Sequence, residues 1–418
     1  MKKTRVYFLL LIFIFLAPAF LGAVDFGFLL NQHLGFGYTE VDDNFVEYKA
    51  GLVPYLSMLI GKNGSFYTSA SMMLGYKDEF YFYPELLRTE FEMNLGAIGI
   101  SAGRIAYADP LTYIAEGLFD GFRVTHTSAM GRFGFGAWYT GLQFKKSANI
   151  TMTDDDQALF SSSLDYGDFA NTYFAPRRFL AALGWEHLSI AGLLRINAAI
   201  LGQFDATKSD GSYHNQYFIV KTGIRLNSLL FEAGGSMEIA QIKYYSRDNL
   251  GQVVVDSNYT SKLGLLGELG VYWTVPTEFR SRLSFVGWFA GGHKNDTLGA
   301  FVPVTTKSYG EILKAKLTAL SAFTLDYSAR VMDSVGAGVS ASYFIRNDKV
   351  TANTYPMTSA ATDKSMLGME LFARLTWSPF SDLQIGLDGG MFLPQMGNVW
   401  KDGKVLWKID LTAVLAIY

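Results

Sequence analysis

The last fifteen residues of the chain, Lys404 to Tyr418, read KVLWKIDLTAVLAIY and alternate between apolar and polar side chains. Successive side chains of a β-strand point to opposite faces, so the segment predicts a strand with one apolar face and one polar face. Lys408, Asp410 and Thr412 share the polar face, and the strand stops on an aromatic residue. The apolar face carries Trp407, Ile409, Leu411, Ala413, Leu415 and Ile417.

The same alternation recurs along the whole chain. It predicts eighteen strands, at residues 24–37, 44–60, 65–77, 81–95, 97–107, 119–128, 132–145, 176–187, 189–206, 213–226, 229–246, 259–275, 279–292, 308–327, 335–347, 366–377, 383–393 and 405–418. The pattern allows fourteen to eighteen strands, and an even number is required if both termini lie at the same rim.

The connections between these strands alternate between short and long. The short set has tight-turn composition and lies at residues 61–64, 96, 129–131, 188, 227–228, 276–278, 332–334 and 378–382. The long set lies at 38–43, 78–80, 108–118, 146–175, 207–212, 247–258, 293–307, 348–365 and 394–404, where only 78–80 is short. Short turns at one rim and long loops at the other are typical of bacterial outer-membrane barrels.

The N-terminus has the three parts of a secretory signal. Lys2, Lys3 and Arg5 form a basic region, residues 6–20 are apolar, and residues 21–23 end on a small residue, Ala23. We therefore expect a signal peptide at 1–23 and one domain at 24–418, with no linker or composition break inside it. Cleavage leaves 32 basic side chains against 38 acidic ones, a net charge of −6 that argues against nucleic acid as a partner.

Composition narrows the fold class. Half of the residues are hydrophobic, but no run of 18 apolar residues follows the signal, which argues against membrane-spanning helices. Aromatic residues make up 15%, charged residues only 17%, and there is no cysteine to form a disulfide. These observations predict an all-β protein, a transmembrane antiparallel up-and-down β-barrel of about 18 strands in the outer membrane of a diderm bacterium.

In such a barrel the apolar faces meet lipid and the charged faces line the lumen. Strand parity places ten basic and seven acidic residues inside, as a mixed but mildly basic pore lining. The set is Arg88, Glu90, Glu92, Arg123, Arg195, Glu232, Glu238, Lys262, Glu268, Arg280, Arg282, Lys314, Lys316, Glu370, Arg374, Lys408 and Asp410. Two interpretations stay open: a lattice of salt bridges that stiffens the wall, or a basic ladder for anions, best supported by Arg280 with Arg282 and Lys314 with Lys316.

The longest loop, 146–175, is acidic. It carries Asp154, Asp155, Asp156, Asp165 and Asp168. One interpretation is a constriction loop that folds into the pore and faces the basic wall; the other is a solvated surface loop.

No catalytic or metal-binding pattern stands out. The five histidines lie outside recognisable nucleophile motifs and show no zinc-ligand spacing. The sequence therefore predicts no enzyme activity, no metal and no cofactor.

Two stretches carry a family resemblance. Residues 103–110, GRIAYADP, followed by 119–124, FDGFRV, resemble the Gly-Arg strand, loop and Phe-Asp-Gly strand of alginate-export-type eighteen-strand porins. The opening VDFGFLLNQ resembles spirochaete outer-membrane barrels. The resemblance to the porin superfamily implies passive movement of small solutes, with Arg104 and Arg123 as pore-lining candidates, although Arg104 shares the parity of lipid-facing residues.

The leading functional expectation is a diffusion channel for small hydrophilic solutes. Its expected partners are outer-membrane lipid, small polar solutes, and the barrel-assembly machinery through the strand that ends at Tyr418. A fatty-acid-type transporter of hydrophobic solutes and a surface adhesin with a closed lumen are the alternatives. The sequence gives no oligomeric state.

Overall fold

A computed structural model describes residues 24–39, 44–152, 156, 160, 162–207, 212–243, 245–247, 253–255, 259–294, 297–349, 364–400 and 403–418. The expected signal peptide at 1–23 lies outside the described residues. Within the described ranges, no helix has both the length and the apolar character needed to cross a membrane.

Eighteen antiparallel strands form one sheet. They are β1 (Val24–Tyr38), β2 (Phe45–Ile60), β3 (Gly64–Tyr76), β4 (Phe80–Leu95), β5 (Ile98–Ala108), β6 (Glu116–Ser128), β7 (Gly131–Tyr139), β8 (Arg178–Ile190), β9 (Leu194–Asp205), β10 (Ser212–Leu226), β11 (Leu229–Lys243), β12 (Thr260–Val275), β13 (Ser281–Ala290), β14 (Leu320–Met332), β15 (Val335–Arg346), β16 (Met366–Phe380), β17 (Leu383–Leu393) and β18 (Leu406–Ile417).

Shorter elements lie in the connections. Tyr245–Arg247 pairs with Val253–Val255, and Ser308–Tyr309 pairs with Ala315–Lys316. A four-residue helix, α1, spans Phe169–Thr172, and a 3₁₀ turn spans Pro394–Met396.

The sheet closes on itself. Each strand pairs with its neighbours along the chain, and β1 pairs with both β2 and β18, with Gly37 opposite Phe45 and Phe28 opposite Ile417. Closure leaves no free first or last strand, which is the condition for a sheet surrounded by lipid. The predicted eighteen-strand antiparallel barrel is confirmed, and each expected strand corresponds to one observed strand.

Several expected boundaries are wrong. The strand expected at 308–327 is β14, which begins only at Leu320, because residues 308–319 belong to a loop. The strand expected at 132–145 ends at Tyr139. The turn expected at Leu188 lies further along the chain, after Ile190, where Ala191 and Gly192 have positive φ angles of 51° and 75°. The other expected turns overlap the observed ones, although β16 continues to Phe380 and the turn before β13 extends to Arg280.

The two faces of the wall are distinguished by what they contact. Side chains such as Trp288 on β13 and Glu370 on β16 contact loop residues 309–313 and are almost fully buried. Side chains of the opposite parity are large, apolar and exposed, among them Leu269, Phe285 and Leu371. Since the loops lie inside the closed sheet, the apolar face is the outer one. The terminal strand β18 follows the same rule, with Trp407 and Ile409 exposed.

Candidate functional site: the lumen and its inward segments

Three connections from the long-loop rim enter the barrel. The first inward segment is 109–115, between β5 and β6. The second comprises the described residues of 140–177, between β7 and β8, and the third comprises the described residues of 291–319, between β13 and β14. Each contributes side chains with almost no exposed surface, for example Leu111, Phe144 and Phe301. The lumen therefore contains a packed apolar core, built by loops, in addition to its polar wall.

The first inward segment is organised by Asp109. Its carboxylate accepts hydrogen bonds from the backbone N–H groups of Leu111 (2.8 Å), Ile114 (2.8 Å) and Ala115 (2.9 Å). Burial raises the pKa of Asp109, and these backbone donors oppose the shift. The turn crosses the lumen to β11, where a Cβ on Gly234 would stand 2.4 Å from Leu111 Cδ2. Glycine at 234 thus allows the close approach between the first segment and the wall.

Two wall carboxylates hold the third inward segment. Glu238 on β11 accepts a hydrogen bond from the N–H of Val302 (2.8 Å) and another from the hydroxyl of Tyr213 (3.0 Å). Glu370 on β16 accepts from the N–H groups of residues 311, 312 and 313, at 2.6, 3.1 and 2.9 Å. The two glutamates lie on separate strands of the wall, so they fix the segment at two separate points. Both were expected to line the pore; here they anchor a loop.

The three segments also contact each other. Thr305 donates its N–H to the carbonyl of Ile114 at 3.0 Å, and Thr151 donates to the carbonyl of Val304 at 2.9 Å. Tyr113 packs against Trp288 and is stacked on Tyr309 with ring centroids 5.2 Å apart. Burial raises the pKa of Tyr113 to about 12. The inward segments therefore form one structure that narrows the lumen from several sides.

Eight of the seventeen expected pore-lining charges are in ion pairs among the described residues. Arg195 contacts Glu232 at 2.8 Å, and Lys221 bridges Glu232 and Glu268 at 3.1 Å each. Arg88 is bonded to Glu90. Where β1 pairs with β18, the carboxylate of Asp410 contacts the Nζ of Lys408 at 2.7 Å and the Nε2 of His33 at 2.8 Å. In this part of the wall, the ion pairs favour the interpretation as a lattice of salt bridges over that of a basic ladder.

Lys221 and His33 are absent from the expected set, although both could be found from the sequence. Lys221 has the parity of the inward-facing Tyr217 and Ile219 on β10, and both of those side chains are buried. His33 lies on the first strand, opposite Thr412 of the last strand.

The expected basic ladder is not a row on adjacent strands. Arg280 lies in a turn with φ of 46°, before β13 begins. Lys314 and Lys316 belong to the third inward segment; burial, and then the charge of Lys408, lower the pKa of Lys314. Arg282 is on β13 and stands over the ring of Tyr272, 4.6 Å from its centroid. The four residues thus occupy three different environments.

Other members of the set lie near the loops or on the wall. Arg374 is 3.7 Å from Glu311 of the third segment, and Lys262 on β12 packs against the same segment at Gly299. Glu92 lies on β4. Arg123 on β6 has a buried Nε without a hydrogen-bond partner among the described residues. It lines two cavities, of about 170 and 700 Å³, that also share Tyr107.

The acidic loop divides into different parts. Asp154 and Asp155 lie outside the described residues. Asp156 is buried and bonded to Arg178 on β8, which also pairs with Asp205. Asp165 and Asp168 are exposed and make local hydrogen bonds around α1. Asp156 therefore anchors the second inward segment to the wall, whereas the other two described aspartates make local hydrogen bonds to their neighbours.

Comparison with known proteins shows which solved structures share this fold. No protein-family profile matches the chain, and no curated protein matches it. Among solved structures, the chain is similar to Pseudomonas aeruginosa OccK11 (OpdR), with a TM-score of 0.57 and 11% identity over 95% of this chain and 97% of that one. It is also similar to P. aeruginosa OccK2 (OpdF), with a TM-score of 0.58 and 8% identity over 95% and 98%. The outer membrane protein OprD of the same bacterium is similar with a TM-score of 0.55 and 10% identity, over 95% of this chain and 94% of that one.

Proposed function

We propose that this protein is an outer-membrane channel for passive diffusion of small hydrophilic solutes. The observation that carries the proposal is the inversion of the faces: large apolar side chains are exposed on the outside of the barrel, while ion pairs and hydrogen-bonded loops lie inside. An arginine or lysine at mid-depth on a lipid-facing wall costs about 2–4 kcal/mol, so this arrangement favours lipid outside and water within.

The proposal includes the pathway by which the chain reaches the membrane. We infer export by a signal peptide at 1–23, a mature single domain at 24–418, and assembly through the β18 terminus at Tyr418. The similarity in fold to the outer membrane protein OprD supports this location. The resemblances to alginate-export-type and spirochaete barrels stay predictions, as does the absence of catalysis.

The inward segments give the channel its narrow part. The anchored first and third segments reduce the cross-section, and the charges that remain beside the lumen set the selectivity. Arg282 stacks on an aromatic ring, and Arg123 lies between two cavities, whereas Arg195 is neutralised by Glu232. We therefore expect a mild preference for anions.

The test is conductance of the purified mature protein in a planar bilayer. We expect stepwise, ohmic conductance in KCl and a reversal potential under a salt gradient with the sign of anion preference. Protein that inserts, shows a folded barrel by heat-dependent gel mobility, and stays closed would refute the channel. A closed lumen would favour the adhesin alternative.

A further inference from the structure

The barrel wall is open between β4 and β5 near the long-loop rim. The two strands pair only from Thr89 to Leu95 on β4, opposite Arg104 to Ile98 on β5. Above this point, residues 80–88 pair with β3 alone, and residues 105–108 pair with β6 alone. The closed hydrogen-bond ladder is thus interrupted over about half the length of β4.

The free edge of β4 is capped by side chains. The carbonyls of Phe82 and Pro84 accept hydrogen bonds from the hydroxyls of Tyr166 (2.5 Å) and Tyr173 (2.9 Å), both in the second inward segment. The carbonyl of Leu86 accepts one from the guanidinium of Arg104. Pro84 has no N–H to offer a neighbouring strand, and proline within sheets is found at edges. The sequence therefore keeps this edge unpaired, and three side chains satisfy the alternate carbonyls that lipid would leave bare.

The opening contains a cavity lined by side chains from both faces of the wall. The cavity measures about 700 Å³, within the usual range of small-molecule sites. On the lipid side it is lined by Leu86, Ala106 and Leu118; on the lumen side it is lined by Tyr107 and Arg123. Exposed Phe80 and Phe82 on β4 place the opening at the level of the apolar outer surface.

The charges in the opening are asymmetric. Arg104, at the point where the ladder ends, is neutralised by Asp120 through two hydrogen bonds of 2.9 Å. Arg123 has no such partner among the described residues, and its Nε is buried. A positive group thus lies at the inner end of the cavity, whose outer side combines Leu86, Ala106 and Leu118 with the ion-paired Arg104 and Glu116. Residues 143 and 147–149 of the second inward segment cover the cavity, and Ser147 is hydrogen-bonded to Glu85 of β4.

We propose that this gap, hereafter the side opening, connects the lumen with the outer half of the membrane and binds an amphiphile with an acidic headgroup. The headgroup lies at Arg123 and the apolar tail lies beside Leu86, Ala106 and Leu118. The inference rests on the proposed channel, because a solute that leaves sideways first enters the lumen. Residues 143–149 act as the door of the side opening.

The test uses the absence of native cysteine. A bimane fluorophore attached through Leu142→Cys, an exposed position next to the door, reports quenching by 11-bromoundecanoate in phosphatidylcholine nanodiscs. Bromoacetate carries the same charge without a tail. A label attached through Val339→Cys, which is exposed on the far wall, measures quenching by general partition into lipid. We expect saturable quenching at 142 by the long probe only, and a linear response at 339.

Two variants examine the residues that carry the inference. Arg123→Gln should raise the half-saturating concentration about tenfold or more, as expected for loss of one charge-assisted hydrogen bond. Bridging Glu85→Cys to Ser147→Cys with a short bis-methanethiosulfonate should abolish saturable quenching until a reductant is added, while each single variant should not. Linear quenching at 142 equal to that at 339, or an unchanged response in Arg123→Gln, would overturn the side opening.

The outcome is separable from that of the channel. KCl conductance reports the aqueous pore, and we expect the bridged variant to conduct as the wild type does. Heat-dependent gel mobility shows that each variant is folded. Loss of conductance in the wild type would refute the proposed function even with saturable quenching, whereas normal conductance with linear quenching would refute the side opening alone.

Discussion

Replacing Glu370 by alanine should release the third inward segment. The carboxylate accepts three backbone N–H groups, from residues 311, 312 and 313, and is almost fully buried. A hydrogen bond to a charged group contributes about 1.5–3 kcal/mol, but burial of the charge offsets much of that gain. We take about 3 kcal/mol as the net contribution to the inward position. This changes the population of a displaced segment by about a hundredfold.

Single-channel recording measures this change. In Glu370→Ala we expect a larger mean conductance and frequent millisecond transitions, because the segment 308–316 leaves the lumen part of the time. The control is Glu311→Gln, which removes a neighbouring, largely exposed charge that accepts no backbone hydrogen bond from the part of the chain that the structure describes. The anchoring role would be refuted if folded Glu370→Ala had the wild-type mean conductance and no more millisecond transitions than the control.

Three further predictions concern other parts of the lumen. Gly234→Val should push the first inward segment away from β11 and raise conductance, and Leu111→Ala in the same chain should reverse the effect by removing the contact. Arg282→Gln should move the reversal potential further towards cations than Arg195→Gln, whose charge Glu232 already neutralises; equal shifts would contradict this. The raised pKa of Asp109 means that the folded state binds its proton more tightly than the unfolded state does. The penalty for burying its charge is therefore relieved as pH falls from neutral towards the ordinary value of about 3.9. Hydrogen exchange, corrected for intrinsic rates, should show protection of residues 111–115 increasing over that range, and Asp109→Asn should lose the dependence.

The wall of the barrel could be predicted from the sequence because its signal is local. Each strand has one environment of lipid and one of water, so parity alone assigns most side chains, as it does for Ile409 and Lys408 on β18. The expected strand at 308–327 fails for a physical reason. Ile312, Leu313 and Leu317 are apolar because they pack inside the barrel with other loops, and such packing mimics the composition of a strand.

The lumen could be predicted only in part. The charged positions follow from parity, but their roles depend on residues distant in the sequence. Glu238 and Glu370 were indistinguishable from ordinary pore-lining acids, since their partners are backbone groups 57 to 64 residues away. The turn that contains Arg280 and the loop that contains Lys314 also broke the expected ladder, because short strand-like runs do not reveal where a loop turns inward.

The side opening shows how one residue could have revealed more. A proline inside an otherwise regular strand predicts an edge, yet a closed barrel in lipid has no edges. Pro84 therefore implied that something other than β5 completes the wall beside it. Tyr166 and Tyr173 supply the missing donors from more than 80 residues away, through a loop whose polarity had indicated only a solvated surface or a constriction. Because side chains rather than the backbone of β5 satisfy this edge, two of them from a loop and the third from Arg104 on β5, β4 and β5 can separate there without breaking a ladder of backbone hydrogen bonds between them. Opening would break the side-chain bonds to three carbonyls and the bond between Ser147 and Glu85. It would also displace a segment that is bonded through Gln143 to the Leu118 carbonyl and through the Asn149 carbonyl to the N–H of Thr306.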